Sequence, residues 1–368
     1  KQSIFSSNLT EITPTHIHNA VLGIILSLIL AFGAGTILAG VGVAHALMQP
    51  ARTYLQIVGG FCILNALIPI CSSYLRAFGF SKEPLYASII GNVINFCLNA
   101  FFLFVLHKGV AGVATATVIS RIINLVIVVL LGAVLVKAKQ HPERESNRAV
   151  MGQIIRIGLP SACETAIYNV SMTLVIRFLN QMDAQGLNVT ARSYTMQITN
   201  FSYCVGAALA QANAIMTGWH IGAKEYDACD RGTKKAAVIG VIVAVILETV
   251  FTLCSGWIMQ LFSKDPQMVS LVGKLLAIDI VLEIGRVTNL VYGQALKTSG
   301  DAVFPVVMGA CFMILCSVGG TYLFGIRLGL LAVGAYIGMT GDECVRAVGM
   351  YLRWKSGKWK EKGLVKSR

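Results

Sequence analysis

Apolar residues in this chain come in long blocks and do not alternate with polar ones. Runs of about twenty apolar residues, the length that crosses a bilayer as a helix, recur between short polar breaks. They predict spans at 17–40, 53–75, 85–106, 110–136, 154–176, 193–217, 236–261, 271–295, 302–325 and 328–350. The chain therefore reads as an all-α, polytopic membrane protein of about ten transmembrane helices. The 193–217 span carries Gln197, Thr199, Asn200, Ser202, Gln211 and Asn213. A helix that polar is expected to line a cavity or the bundle interior.

Composition supports this reading. Of the 368 residues, 55% are hydrophobic and 13% charged, where soluble domains carry about 25% charged residues. A net charge of +13 would point to nucleic acid in a soluble protein, but here the cations gather in breaks between apolar runs. The positive-inside rule accounts for them, so the expected partner is the lipid bilayer and not nucleic acid. Alternating the spans puts Arg76, Lys82, the 137–156 cluster, Lys224, Arg231, Lys234, Lys235, Lys297 and the 353–368 cluster on one side. Both ends of the chain are then cytoplasmic. The opposite side receives only Arg52, Lys108, Arg177, Arg192, Lys264, Lys274 and Arg327, while Arg121, Arg286 and Arg346 fall inside the membrane.

Ten cysteines occur without a CxxC pair, and most lie singly in apolar runs, the pattern of small buried filler. The six histidines fall at loops or span ends, and there is no HExxH or P-loop. The sequence thus favours a transporter over a membrane enzyme, with no cofactor.

The chain also repeats itself. Leu75-Arg76-x-x-Gly79-x-x-x-x-Pro84 recurs 221 positions on as Leu296-Lys297-x-x-Gly300-x-x-x-x-Pro305. Matched loops fall on the same side of the membrane, so the repeat is parallel. The organisation expected is a first lobe at 1–136, a connector at 137–153, a second lobe at 154–350 and a basic tail at 351–368. Residues 148–222 have no partner at this shift, so the expected complete protein has roughly two more helices before residue 1, in a six-plus-six arrangement.

Ionisable groups in apolar runs are the first candidates for function. Asp279, Glu283 and Arg286 share one helix face, and mid-membrane acids beside an arginine fit exchange of H+ or Na+. A permanent Glu283–Arg286 pair that only ties helices is the plainer alternative. Glu164, with Tyr168 at i+4 and Asn169 nearby, suits a proton or a cationic substrate, or else a hydrogen-bonded carboxyl between helices. No metal centre is expected beyond Na+ near Glu164 or Asp279. Asn95, Asn99 and Thr117 either line a first-lobe cavity or bond between helices. Asn200, Tyr203 and Gln211 suit a wetted face that takes flat lipophilic cations. Asp342, Glu343 and Arg346 read as a self-paired cluster at a helix end. Glu248 has no assigned mate, and the tail tryptophans read as anchors at an anionic leaflet.

Several motifs, in this order, resemble the multidrug and toxic compound extrusion family: Gly91-Asn92 with Asn95 and Asn99, Gly109-Val110-Ala111-Gly112, Gly158-Leu159-Pro160 followed by Glu164, Ile221-Gly222-Ala223-Lys224-Glu225, and Ala295 through Asp301. The closing Asp342-Glu343, Arg346 and Arg353-Trp354-Lys355-Ser356-Gly357-Lys358-Trp359 is similar to one bacterial branch. The resemblance implies a monomeric antiporter of the bacterial plasma membrane. It would export amphiphilic cationic compounds in exchange for H+ or Na+, by alternating access between two six-helix lobes. A related flippase or exporter of a lipid-linked or polar metabolite is the alternative. Two positions depart from the family: Asn99 stands where many members carry an aspartate, and Arg286 where some carry an acid.

Overall fold

The computed structural model describes residues 8–41, 45–136, 147–182 and 186–362. Among them are ten helical rods and no strand. The first unit, residues 1–154, contains α1 (Asn8–Val41), α2 (His45–Tyr54), α3 (Ile63–Ala77), α4 (Lys82–Ala100) and α5 (Gly109–Leu135). A π turn at Leu55–Gly59 leads from α2 towards α3, and another at Phe101–Val105 ends the α4 rod. Leu75, Ala87 and Val128 form the buried core of this unit.

The second unit, residues 155–368, is built from all but the first two turns of α6 (Asn147–Met182), with α7 (Leu187–Gly222), α8 (Tyr226–Leu253), α9 (Ser255–Met259), α10 (Pro266–Thr298), α11 (Val303–Phe312) and α12 (Leu331–Lys355). The predicted connector lies outside the described residues as far as 146, and from Asn147 the chain is already helical. α6 runs through Pro160.

α10 is the axis of this unit and packs against α7, α8 and α12. Its apolar residues feed two clusters, one around Val272, Leu275, Leu276 and Leu282, the other around Val287, Val291, Ala295 and Leu296. Asp279, Glu283 and Arg286 lie on the same helix beside these clusters. Packing on α10 is close where Val287 meets two glycines. A Cβ on Gly206 of α7 would lie 2.8 Å, and one on Gly240 of α8 2.7 Å, from its methyl groups. Small residues let these three backbones approach without a hydrophobic drive from lipid.

The repeat is visible in the backbone. Gly79 (φ +89°) and Gly300 (φ +90°) close the same helix-ending turn. The Phe80 amide donates to the Leu75 carbonyl at 3.0 Å, and the Asp301 amide to Leu296 at 2.9 Å. Further on, Lys108 donates to Phe102 and Leu330 to Phe324. Gly112 and Gly334 take equivalent places, where a Cβ would lie 2.8 Å from Phe102 and 2.4 Å from Phe324. These later pairs stand 222 positions apart, so the second copy has gained one residue. A π turn is a helix with one residue inserted, and the second copy has an additional one at Met313–Val318, before the π segment Thr321–Arg327 that matches Phe101–Val105.

Six rods contain stretches long and apolar enough to cross a membrane: Val21–Ala39, Met48–Arg76, Lys82–Val105, Gly109–Leu135, Tyr226–Leu253 and Val303–Arg327. Among the described residues, α6, α7, α10 and α12 do not meet that standard. Polar and charged side chains interrupt them, and these four supply most of the site.

All ten cysteines are free thiols. Only Cys229 is buried, whereas Cys97, Cys163, Cys204, Cys254 and Cys311 are exposed. Lying singly in apolar runs therefore does not make them core filler, because the outer face of a membrane helix is apolar as well.

Candidate functional site

A cavity of about 700 Å³ opens inside the second unit, walled by α6, α7, α10 and α12 and by the rod that α11 begins. Along α10 it extends from Asp279 to Lys297, about 27 Å at 1.5 Å per residue. Its wall carries Glu164, Asp279, Asp342 and Glu343 against Arg192, Arg286, Lys297 and Arg346.

Half of these charges, Arg286, Asp342, Glu343 and Arg346, form a continuous ladder with Glu283. The fully buried Glu283 accepts a hydrogen bond from Arg286 one turn on. Arg286 Nε lies 3.7 Å from Glu343 Oε1, and the same oxygen is 2.9 Å from Arg346 Nη2. Arg346 also donates twice to Asp342, at 2.8 and 2.9 Å, in the bidentate geometry that suits guanidinium and carboxylate. Two neutral groups complete the set. Asn289 Nδ2 donates to Glu343 Oε2 and Ser317 Oγ to Asp342 Oδ2, each at 3.0 Å. Ser317 lies in the added π turn, so the inserted residue bears directly on the site.

A second ion pair stands apart from the ladder. Lys297 donates to Glu164 Oε2 at 2.6 Å. Gly309 leaves room for that carboxylate, since a Cβ there would sit 3.3 Å from Glu164 Oε1. Tyr168, Asn169, Asn200 and Tyr203 also face the cavity. The Arg286 guanidinium lies 6.0 Å from the Tyr203 ring centroid, at the limit of a cation–π contact.

Of the residues singled out in the sequence, Glu164, Asp279, Arg286, Tyr168, Asn169, Asn200 and Tyr203 are brought together on this wall, with Glu283 bonded behind it. Gln211 is not on the wall and is exposed. Asn95 and Asn99 belong to the first unit, where their amides are engaged with each other and with α5. Asn99 donates to Asn95 at 3.0 Å and Asn95 to Ser120 at 3.1 Å, while Thr117 Oγ1 donates to the Val113 carbonyl. Of these bonds, the one from Asn95 to Ser120 joins α4 to α5, and the other two lie within a single helix.

Three expectations are corrected. Asp342, Glu343 and Arg346 are not a helix-end cluster: they sit midway along α12 and bond to α10 and the α11 rod. Their position inside the predicted 328–350 span was the available signal. Trp354 and Trp359 are not exposed anchors; both are buried in the protein and stacked, ring centroids 4.2 Å apart. Lys297 and Arg192, read as flanking loop cations, are helical and face the cavity. Glu248 of α8 acquires neighbours as well. It is fully buried with both oxygens unpaired, near Ser202, Asp279 and Glu283.

Comparison with known proteins follows the same lines. The profile of the MatE family matches residues 12–101 and 160–323. An uncharacterized transporter of Bacillus subtilis, YisQ, is 33% identical over 353 residues, covering 94% of this chain and 77% of its own. A probable multidrug resistance protein, NorM, of Thermotoga maritima is 21% identical over 326 residues, covering 86% and 68%. A crystal structure of a MATE protein in its straight conformation superposes with a TM-score of 0.84 at 18% identity, over 96% of this chain and 79% of that one. By its profile, its relatives and its fold, the chain belongs to the multidrug and toxin extrusion family of membrane transporters.

Proposed function

We propose that this protein is a secondary antiporter of a bacterial plasma membrane, exporting amphiphilic compounds with a cationic group in exchange for H+ or Na+ by alternating access. Both ends of the chain would be cytoplasmic and the working form a monomer. The observation that carries this reading is the ladder that runs from Glu283, behind the wall, through Arg286, Glu343 and Arg346 to Asp342 on the wall of a cavity large enough for a drug-sized molecule.

Each acid in the ladder is balanced against a guanidinium. When a proton or Na+ neutralises a carboxylate, its arginine is left uncompensated and repels a cationic cargo. When the cation leaves, the acids and the Tyr168 and Tyr203 rings again favour that cargo. Cation and cargo then bind competitively, and coupling follows if their affinities differ between the two access states. The wall carries equal numbers of acidic and basic side chains, which favours this reading over a flippase for anionic lipid-linked cargo, whose cavity should be predominantly basic.

The test is efflux of a fluorescent amphiphilic cation from proteoliposomes of the full-length protein, with pH and Na+ gradients imposed separately. Efflux should follow one of the two. Efflux that follows neither overturns the antiport reading.

A further inference from the structure

Every basic side chain on the cavity wall has a carboxylate partner except one. Lys297 holds Glu164, Arg286 holds Glu283 and Glu343, and Arg346 holds Asp342 and Glu343. Arg192, in the second turn of α7, forms no ion pair among the described residues. Its Nη2 lies 3.5 Å from the Met172 sulfur, a weak acceptor, and its buried Nε has no acceptor among the described residues. The residue is 6% exposed and borders the cavity.

An unpaired charge held that far from solvent is expensive in a membrane protein, and a guanidinium does not escape the cost by losing its proton. Its surroundings fit a ligand better than a structural role. Met172, Met196 and Met339 line the wall together with Arg192, and flexible thioethers accommodate organic frameworks of varied shape. Asp279 and Tyr336 lie on the same wall. The cavity thus offers a cargo a guanidinium without a carboxylate partner in addition to the aromatic rings and the ladder.

We propose that Arg192 is a docking site for the acid group of the cargo, and that the cavity selects zwitterionic amphiphiles: a carboxylate on the Arg192 guanidinium and a cationic group against Asp279 and the ladder acids. The site rests on the export reading above and narrows its substrate class. A planar carboxylate matches the guanidinium fork and supplies the missing acceptor to Nε.

The probe is a xanthene dye with a free carboxylate, compared with its ethyl ester, which keeps the ring system and the cation and removes only the anion. Binding of each to the full-length protein in detergent is read by fluorescence anisotropy. The free acid should bind about tenfold or more tightly than the ester, as expected for a charge-assisted hydrogen bond in a desolvated site. In Arg192→Gln the two dyes should bind alike. Arg192→Lys, which keeps the charge but not the fork, should retain only part of the preference, and it serves if the glutamine variant does not fold. Equal binding of acid and ester to the unaltered protein, a preference that survives Arg192→Gln, or no binding of either dye overturns the proposal. Gradient-driven efflux of the ester by the unaltered protein is scored separately. If the ester moves and the acid shows no advantage, the antiport reading stands and the Arg192 site falls.

Discussion

The ammonium of Lys297 lies 2.6 Å from Glu164 Oε2, so the last turn of α10 is tied to α6 by an ion pair whose side chains are 19% and 18% exposed. A pair this far withdrawn from water is held against its own desolvation, and its members are best judged together.

Glu164→Gln is expected to lower stability by about 1–3 kcal/mol, because it strands a largely buried ammonium, and to remove gradient-driven efflux. Adding Lys297→Met should restore most of the stability without restoring transport. Thermal melts in detergent and vesicle efflux check the two parts independently. If the double variant is no more stable than Glu164→Gln alone, the two residues do not act as a pair.

Glu248 provides the opposite case. It is fully buried, and among the described residues neither of its carboxylate oxygens has a hydrogen-bond partner. Replacing such a group by an apolar residue of similar size removes a cost without breaking a bond. Glu248→Leu should therefore raise the melting temperature, corresponding to about 1–3 kcal/mol, and a lower melting temperature would mean that the acid makes a stabilising contact.

Asp301 sets an acid limit on stability. The loop that follows α10 buries this carboxylate, and Arg353 Nε and Lys362 Nζ each donate to it at 2.7 Å. Burial by itself pushes the carboxyl up, but the hydrogen bonds and charges of Arg353 and Lys362 outweigh it and hold the group below the ordinary aspartate range. A lowered carboxylate value means a contribution fully present above the unfolded aspartate value, about 3.9, and lost as pH falls through the folded one. Asp301→Asn should thus be less stable than the parent at neutral pH, with the difference shrinking below about pH 4. A gap between the two melting curves that stays constant from neutral to acid pH would contradict this.

The stacked tryptophans should matter for folding and not for membrane attachment. Trp359 donates its indole N–H to the Trp354 carbonyl at 3.0 Å, and Trp354 donates to Asp230 of α8 at 2.9 Å. Trp359→Ala should cost about 3–5 kcal/mol, the usual loss when a large aromatic is deleted from a packed core. Chemical denaturation reports it, and a change below about 1 kcal/mol would return Trp359 to the surface role that its basic neighbours suggest.

How much of this was legible in the sequence depended on how unusual each residue was in its setting. Apolar length is a strong signal, and each of the ten predicted spans falls on a helical rod. The 221-residue repeat was also readable, down to the glycines that end α3 and α10. Glu164, Asp279, Glu283 and Arg286 stood out because ionisable groups are rare in apolar runs. Lys297 and Arg192 did not, because cations near helix ends are ordinary, and only the fold shows that both face inward. Asp342, Glu343 and Arg346 were seen but misjudged, since i, i+3 and i+4 spacing within one helix conceals bonds that run to Asn289 and Ser317. The tail tryptophans misled for a similar reason: their partners Asp230 and Tyr292 are far away in sequence.

The polarity of α6, α7, α10 and α12 also bears on how the protein is made. A segment leaving the ribosome is sorted between the insertion channel and lipid by its own hydrophobicity, and each central charge weighs against release into the bilayer by about 2.5–3.5 kcal/mol. α10, with Asp279, Glu283 and Arg286 at its middle, is poorly suited to enter oil alone. Glu283 and Arg286 offset each other within the helix, and α10 gains further from meeting α12, whose Glu343 faces Arg286, before it is released into lipid.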